Sequence, residues 1–272
     1  MRKTFPAAEL ARDDRFFSVN IAERMSDPRA GGQNLARGNY ERTGRMSPDD
    51  EATPERARSL MHGIFMGEIQ ALEGAGRTCW DFDEAEAPFG LKLDMARQCW
   101  DEARHVEISI KLTEWMGTSI GEFSESKFLY EAACAPDPVM RLTGVNRGLE
   151  GLAIDVFNTM KEFAERSTDP YLHFCEDWML ADEVTHVKMG SDWLRRLTAD
   201  DPERRQKALE FQHTVDRMFS LGGGRNTSKD SPITLARKFR QMAGFTDDEI
   251  EAIGKLGDDI LEQRRQQADA RT

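Results

Sequence analysis

The sequence predicts an all-α protein: an antiparallel four-helix bundle with a crossover connection between its halves, an N-terminal arm and extra C-terminal helices. Three observations lead there. The motif Asp-Glu-x-x-His occurs twice, as Asp101-Glu102-Ala103-Arg104-His105 and as Asp182-Glu183-Val184-Thr185-His186. Each copy lies in a long segment whose apolar residues recur at helical spacing. Each copy also follows a lone Glu at nearly the same distance, Glu68 by 34 residues and Glu150 by 33. That distance accommodates the rest of one helix, a turn and half of an antiparallel return helix.

Taken in order, residues 1–52 are the least regular part and form the expected arm. Leu10 to Met25 can be helical, and Asp27-Pro28-Arg29-Ala30-Gly31-Gly32 breaks it. A long arm is either disordered or laid over the bundle, and Phe5, Phe16, Phe17 and Tyr40 favour the second. The bundle with one following helix is expected over 53–221, and a linker with a C-terminal helical extension over 222–272. Thr53-Pro54 reads as an N-cap followed by Pro at the first helical position, opening a helix to about Phe82. Its inner face, Met61, Ile64, Phe65, Glu68, Leu72, Ala75 and Cys79, is apolar except for Glu68. Ala87-Pro88-Phe89-Gly90 is a turn. The second helix, Leu91 to Gly117, turns inward Leu91, Met95, Gln98, Glu102, His105, Ser109, Leu112 and Met116. Residues 118–136 make the crossover, with room for a short helix from Glu125 to Ala133. The third helix, Pro138 to Arg166, is capped by Asp137. The fourth, Pro170 to Leu197, follows the turn Thr168-Asp169-Pro170 and points Leu172, Cys175, Met179, Glu183, His186, Gly190 and Leu194 inward. Asp201-Pro202 opens a further helix to about Leu221. Gly222-Gly223-Gly224 begins a linker, Ser231-Pro232 opens a short helix, and Thr246 to Glu249 is a capping box. These last helices carry no chemical signature, and their expected role is packing or formation of a homodimer.

Composition removes several classes of function. With 39% hydrophobic and 32% charged residues the chain has an ordinary globular balance. No run of 18 apolar residues occurs, so no membrane span is expected. The start, Met1-Arg2-Lys3-Thr4-Phe5-Pro6, lacks the apolar core of a secretion signal. The cysteines, Cys79, Cys99, Cys134 and Cys175, have no Cys-x-x-Cys spacing and read as reduced thiols filling the core of a cytoplasmic protein. A net charge of −12 disfavours a nucleic-acid partner.

The repeated motif carries the chemistry. Residues three apart on a helix share a face, so Glu102 with His105, and Glu183 with His186, can each grip one metal ion. A charge on an apolar face is costly unless it is paired or metal-bound, which places Glu68 and Glu150 in the same set. One Glu from each of two helices, plus Glu-x-x-His from each of the other two, makes a dinuclear metal site. Four carboxylates and two imidazoles suit iron first, with manganese or a mixed pair as alternatives. Zinc more often takes four ligands with fewer carboxylates. Two divalent ions also neutralise four Glu, which would otherwise repel one another. Asp101 and Asp182 lie on the same faces, so Asp101 can hold His186 and Asp182 can hold His105, each accepting the ring N–H that faces away from the metal; a solvated Asp, or one salt-bridged to Arg104 or Lys188, is the alternative. Glu73, five residues from Glu68, points about 140° away and is left outside the site. Aligning Glu68 with Glu150 sets the apolar Ile64 and Phe65 opposite Asn146 and Arg147. That polar pair marks a candidate substrate pocket, though a salt-bridged helix start fits equally well. His62, His173 and His213 have no counterparts at ligand spacing.

The Asp-Glu-Ala-Arg-His and Asp-Glu-Val-Thr-His pair resembles the ferritin-like diiron carboxylate superfamily. His62 to Gln70-Ala71, Asp101 to His105, and Asp182 to Val187 with Trp193 are similar to an uncharacterised bacterial ferritin-like family catalogued as a domain of unknown function. The resemblance covers roughly residues 55–200. It implies a ferritin-like bundle, metal ligation by Glu68, Glu102, His105, Glu150, Glu183 and His186, and oxygen chemistry with dioxygen as co-substrate. The expected activity is that of an oxidase or oxygenase on a small organic substrate, by hydroxylation, desaturation or N-oxygenation, supplied by an electron donor protein. Iron handling of the ferroxidase type is the alternative, and tRNA hydroxylation a further one. A scaffold with a vestigial site is disfavoured by the complete ligand set.

Overall fold

A computed structural model describes residues 16–17, 54–122, 125–220 and 235–269. The expected helix at Leu10–Met25, most of the arm and the glycine linker lie outside the described residues. The fold is an all-helical bundle. Helix α1 (Pro54–Asp81) pairs with α2 (Phe89–Trp115). After a short α3 (Phe128–Ala133) comes α4 (Pro138–Arg141), continued by a π-helical stretch Leu142–Leu149 and then α5 (Glu150–Ser167). Helix α6 (Pro170–Leu197) returns along α5, and α7 (Pro202–Ser220), α8 (Arg237–Met242) and α9 (Asp247–Asp269) follow. Among the described residues no helix is long and apolar enough to cross a membrane.

Local chemistry places the helix ends. The Asp137 side chain accepts from Val139 N at 2.7 Å ahead of Pro138, and Asp169 accepts from Tyr171 N and Leu172 N ahead of Pro170. Both aspartates satisfy backbone donors that the first helical turn leaves open. Gly117 closes α2 at φ +74, a conformation that a Cβ disfavours. Thr246 and Glu249 bond reciprocally at the start of α9, as a capping box requires. In the crossover, Glu125–Ser126 pairs with Phe16–Phe17 in a two-residue parallel bridge, so the short helix starts at Phe128 rather than Glu125.

One element departs from the expected course. The third bundle helix is not a continuous α-helix, because eight residues before Glu150 widen to π geometry. Thr143 Oγ1 donates to the carbonyls of Val139 and Met140 at 3.2 and 3.1 Å, competing with the α-helical ladder. Gly144 and Gly148 sit against Phe211 and Val215 of α7, where a Cβ on either would clash. The stretch thus serves as a close-packed seam, and every residue in it is buried.

The core lies between the paired helices. One apolar cluster gathers Met61, Leu112, Phe157, Met160, Leu172 and Met179 toward one end of the bundle. The C-terminal helices dock on it through polar locks. Arg240 and Asp155 are both 0% exposed and form a 2.7 Å ion pair, with Ala236 N donating to the same carboxylate. A buried pair of this kind sets where α8 lies on α5, since breaking it would strand a charge in the core.

Candidate metal centre

Four helices bring six side chains together. Glu68 comes from α1, Glu102 and His105 from α2, Glu150 opens α5, and Glu183 and His186 come from α6; all six are buried. His105 Nδ1 lies 3.1 Å from Glu68 Oε2, 3.2 Å from Glu102 Oε2 and 3.4 Å from Glu183 Oε1. His186 Nδ1 lies 3.2 Å from Glu102 Oε1 and 3.7 Å from Glu183 Oε1. Two groups result, each compact enough to hold a metal ion: Glu68, Glu102, His105 and Glu183, and Glu102, Glu150 and His186. Glu102 belongs to both.

The outer ring nitrogens meet the motif aspartates across the bundle. His105 Nε2 is 3.2 Å from Asp182 Oδ2, and His186 Nε2 is 3.2 Å from Asp101 Oδ2. An ionised aspartate only accepts, so each ring carries its proton on Nε2 and presents Nδ1 to the cluster. Arg104 ties the two aspartates together by donating to both Asp101 and Asp182. Its guanidinium lies 4.6 Å from the Trp178 ring centroid, and Trp178 meets the edge of His105 at 5.9 Å. Glu150 is held by amides: Gln98 Nε2 donates to Oε1, and Asn146 Nδ2 donates to Oε2 at 3.1 Å and to Gln98 Oε1 at 2.9 Å.

Charge is distributed unevenly over the cluster. Burial and the neighbouring Glu102 carboxylate push Glu68 well above the usual carboxylate range. Glu150 rises through burial, and Glu183 through burial and Glu102. Glu102 moves the other way, because hydrogen bonding to His105 and the attraction of His186 outweigh its burial. Burial pulls both imidazoles down, but the carboxylates beside them, Asp182 and Glu102 for His105 and Asp101 and Glu102 for His186, favour the charged rings and raise both. Without a cation, the protons on these groups balance the cluster. Glu102 Oε2, Glu183 Oε2 and His186 Nδ1 are nonetheless buried without any hydrogen-bond partner. Buried orphans of this kind, all competent ligands and all drawn from the two ligand groups, fit a metal-binding role.

Asn146 and Arg147 do not share a pocket. Asn146 faces the cluster and orients Glu150, whereas Arg147 points to the C-terminal helices. Arg147 donates to Ser191 Oγ at 2.6 Å, to Gln212 Oε1 at 3.0 Å and to Glu249, and stacks 4.3 Å from the Phe245 ring centroid. Arg147 thus takes the salt-bridged alternative, pairing with Glu249, and the two side chains leave the π-helical stretch in different directions. Glu73 is exposed, His62 Nε2 accepts from Gly121 N at 2.9 Å, and the four cysteines are free and half-buried rather than core fillers.

The sequence assigns no role to Gln98 or Glu176, and to Arg104 only that of a salt-bridge partner for a motif aspartate. Gln98 stands on the inner face of the second helix but has no partner assigned. Arg104 lies inside the motif, one of its guanidinium nitrogens reaching two aspartates that only the fold brings together. Glu176 is 0% exposed, and both of its carboxyl oxygens lack a partner. Burial pushes its pKa up to about 8. The available signal was its spacing, seven residues before Glu183 and so on the same face.

Fold and site together define a class: an all-helical protein with a buried carboxylate and histidine cluster that could hold metal. The chain belongs to the family described as protein of unknown function (DUF455), whose model matches residues 7–251. It is similar to an uncharacterised protein of Haemophilus influenzae, 26% identical over 210 residues that cover 74% of this chain and 69% of that one. No solved structure matches.

Proposed function

We propose that this chain is a ferritin-like oxidase or oxygenase that activates dioxygen at a dinuclear metal centre and acts on a small organic substrate. The observation that carries the reading is the pair of ligand groups sharing Glu102, each with one imidazole and at least two carboxylates. Glu68, Glu102, His105 and Glu183 would hold one ion, and Glu102, Glu150 and His186 the other. Carboxylate-rich sites of this kind favour iron, manganese or one of each. Such ions would supply the electrons for reducing dioxygen, with a donor protein to restore them.

The chain's own residues prepare that chemistry. Asp101 and Asp182 fix the imidazole tautomers so that Nδ1 is free to ligate. Gln98 and Asn146 fix the Glu150 carboxylate by two amide donors. Arg104 donates to the two aspartates at the rim, and the apolar cluster beyond keeps bulk water out. Ferroxidase activity and tRNA hydroxylation are the competing uses of a similar centre.

Elemental analysis after growth with iron and manganese is the test, joined to oxygen uptake by the ferrous protein. Two transition-metal ions per chain and uptake of dioxygen are expected. One ion per chain, or zinc alone under iron-replete conditions, would remove the dinuclear reading. Elution at many times 30.9 kDa would favour an iron-storage shell instead.

A further inference from the structure

Beyond the six candidate ligands, the bundle interior contains a second polar feature that the proposed chemistry does not use. Glu176 on α6 is 0% exposed, and neither Oε1 nor Oε2 has a hydrogen-bond partner. Ser109 on α2 is also 0% exposed, and its Oγ likewise has none. The contacts of His105 with Asp182 and of His186 with Asp101 show that α2 and α6 run antiparallel. Going forward from His105 to Ser109 and back from Asp182 to Glu176 therefore leads to the same end of the bundle. That end is apolar: Met61, Leu112, Phe157, Met160, Leu172 and Met179 make up its cluster.

An unpaired buried carboxyl is expensive, and so is an unpaired buried hydroxyl. Three such atoms from two helices, gathered at one end of one core, call for a common partner that the chain does not provide. The partner's chemistry follows from the atoms. All three can accept a hydrogen bond, and an ammonium group offers three donors with a positive charge that favours the ionised carboxyl. An alcohol would offer a single donor, too few for three atoms. A carboxylate ligand would offer none.

We infer that Glu176 and Ser109 form the head-group site for a primary amine with an apolar body, the substrate class of the metal centre. The word substrate rests on the oxidase reading; the binding itself does not. Seven residues of helix separate Glu176 from Glu183, a rise of about 10 Å. An amine anchored at Glu176 thus keeps its nitrogen away from the centre, and only its carbon body could reach it. Hydroxylation or desaturation of carbon fits this placement, and N-oxygenation of the anchored nitrogen does not.

Calorimetric titration of n-hexylamine into the full chain as purified tests the site, with 1-hexanol and hexanoate as comparison probes and metal content determined on the same sample. One hexylamine per chain is expected, with hexanol weaker and hexanoate unbound. Glu176→Gln should weaken the amine about ten-fold or more, as loss of a charged hydrogen bond does. Ser109→Ala should weaken it by a smaller factor, and Glu84→Gln, an exposed control, should change nothing. Equal binding by wild type and Glu176→Gln would overturn the inference, as would no amine binding by wild type or hexanol binding as tightly as the amine. Should Glu176→Gln fail to fold, the wild type decides by NMR. Contacts from hexylamine to the methyl groups of Met160 and Met179 support the site, and their absence overturns it. A chain that binds the amine but lacks metal loses only the oxidase reading, and a chain with two metals that ignores the amine loses only this site.

Discussion

Asp182 is 3.2 Å from a ring nitrogen that points away from the cluster, so its influence on metal must pass through His105. Without that acceptor the ring is free to rotate and to move its proton onto the ligating nitrogen. Asp182→Ala should weaken metal binding on the order of 10- to 100-fold, while Glu73→Ala, at an exposed position of α1, should leave it unchanged. Competitive titration with a chelator would measure both, and equal losses would show that the faces are misassigned. Glu176 allows a pH prediction at the same scale. Its folded-state pKa is raised by burial to about 8, from an ordinary 4.5, and the attraction of His105 opposes only part of the rise. The folded state then binds more protons than the unfolded state between those values, so this group costs stability as pH climbs through that window. Glu176→Gln cannot ionise. Its melting temperature relative to wild type should rise steadily from pH 5 to pH 8, and a pH-independent difference would show that Glu176 titrates normally.

At the scale of elements, the site depends on how closely α6 approaches the π-helical stretch. A Cβ at Gly190 would come 2.5 Å from Asn146 Cβ and 3.4 Å from the Leu142 carbonyl. Neither neighbour is the free end of a flexible side chain, so the two elements must part to admit a methyl group. Gly190→Ala should cost about 1–3 kcal/mol, the usual range for overpacking a tight core. It should also weaken metal binding, because Asn146 is a donor to Glu150. Urea unfolding would report the first as a lower midpoint at unchanged slope. The metal titration would report the second, and unchanged affinity would mean that Asn146 does not position Glu150. The π geometry itself ends at Glu150, consistent with the way such segments collect at functional sites.

For the whole molecule, four acidic candidate ligands share one interior, and their charge couples the centre to stability. A cation that binds only the folded state stabilises it by mass action. Stripping the metal should therefore lower the melting temperature, and adding back iron or manganese should restore it. Calorimetric melting of stripped and reloaded chains decides this, and coincident transitions would show that the cluster binds no metal tightly. The C-terminal helices belong to the same cooperative unit. Arg240 donates to the Gly151 carbonyl, one residue beyond Glu150, as well as to Asp155. The docking of α8 on α5 thus buttresses the start of the helix that carries a candidate ligand.

The all-helical bundle, its principal turns and the six residues that meet in its core were legible in the sequence. Their signals are periodic or local: a motif repeated at nearly equal spacing, Asp-Pro starts at Asp137 and Asp169, a glycine after α2 and a capping box at Thr246. Such features depend on residues within a few turns of one another, and the chain records those distances directly. The tertiary structure decided the rest. It turned Arg147 away from Asn146, opened the helix before Glu150 into π geometry, set Arg104 between two aspartates 81 residues apart in the chain and left Glu176 without a partner. Each of these outcomes depends on which side chain arrives from another helix, at what height and at what angle. Packing fixes those three quantities only when all the helices are in place.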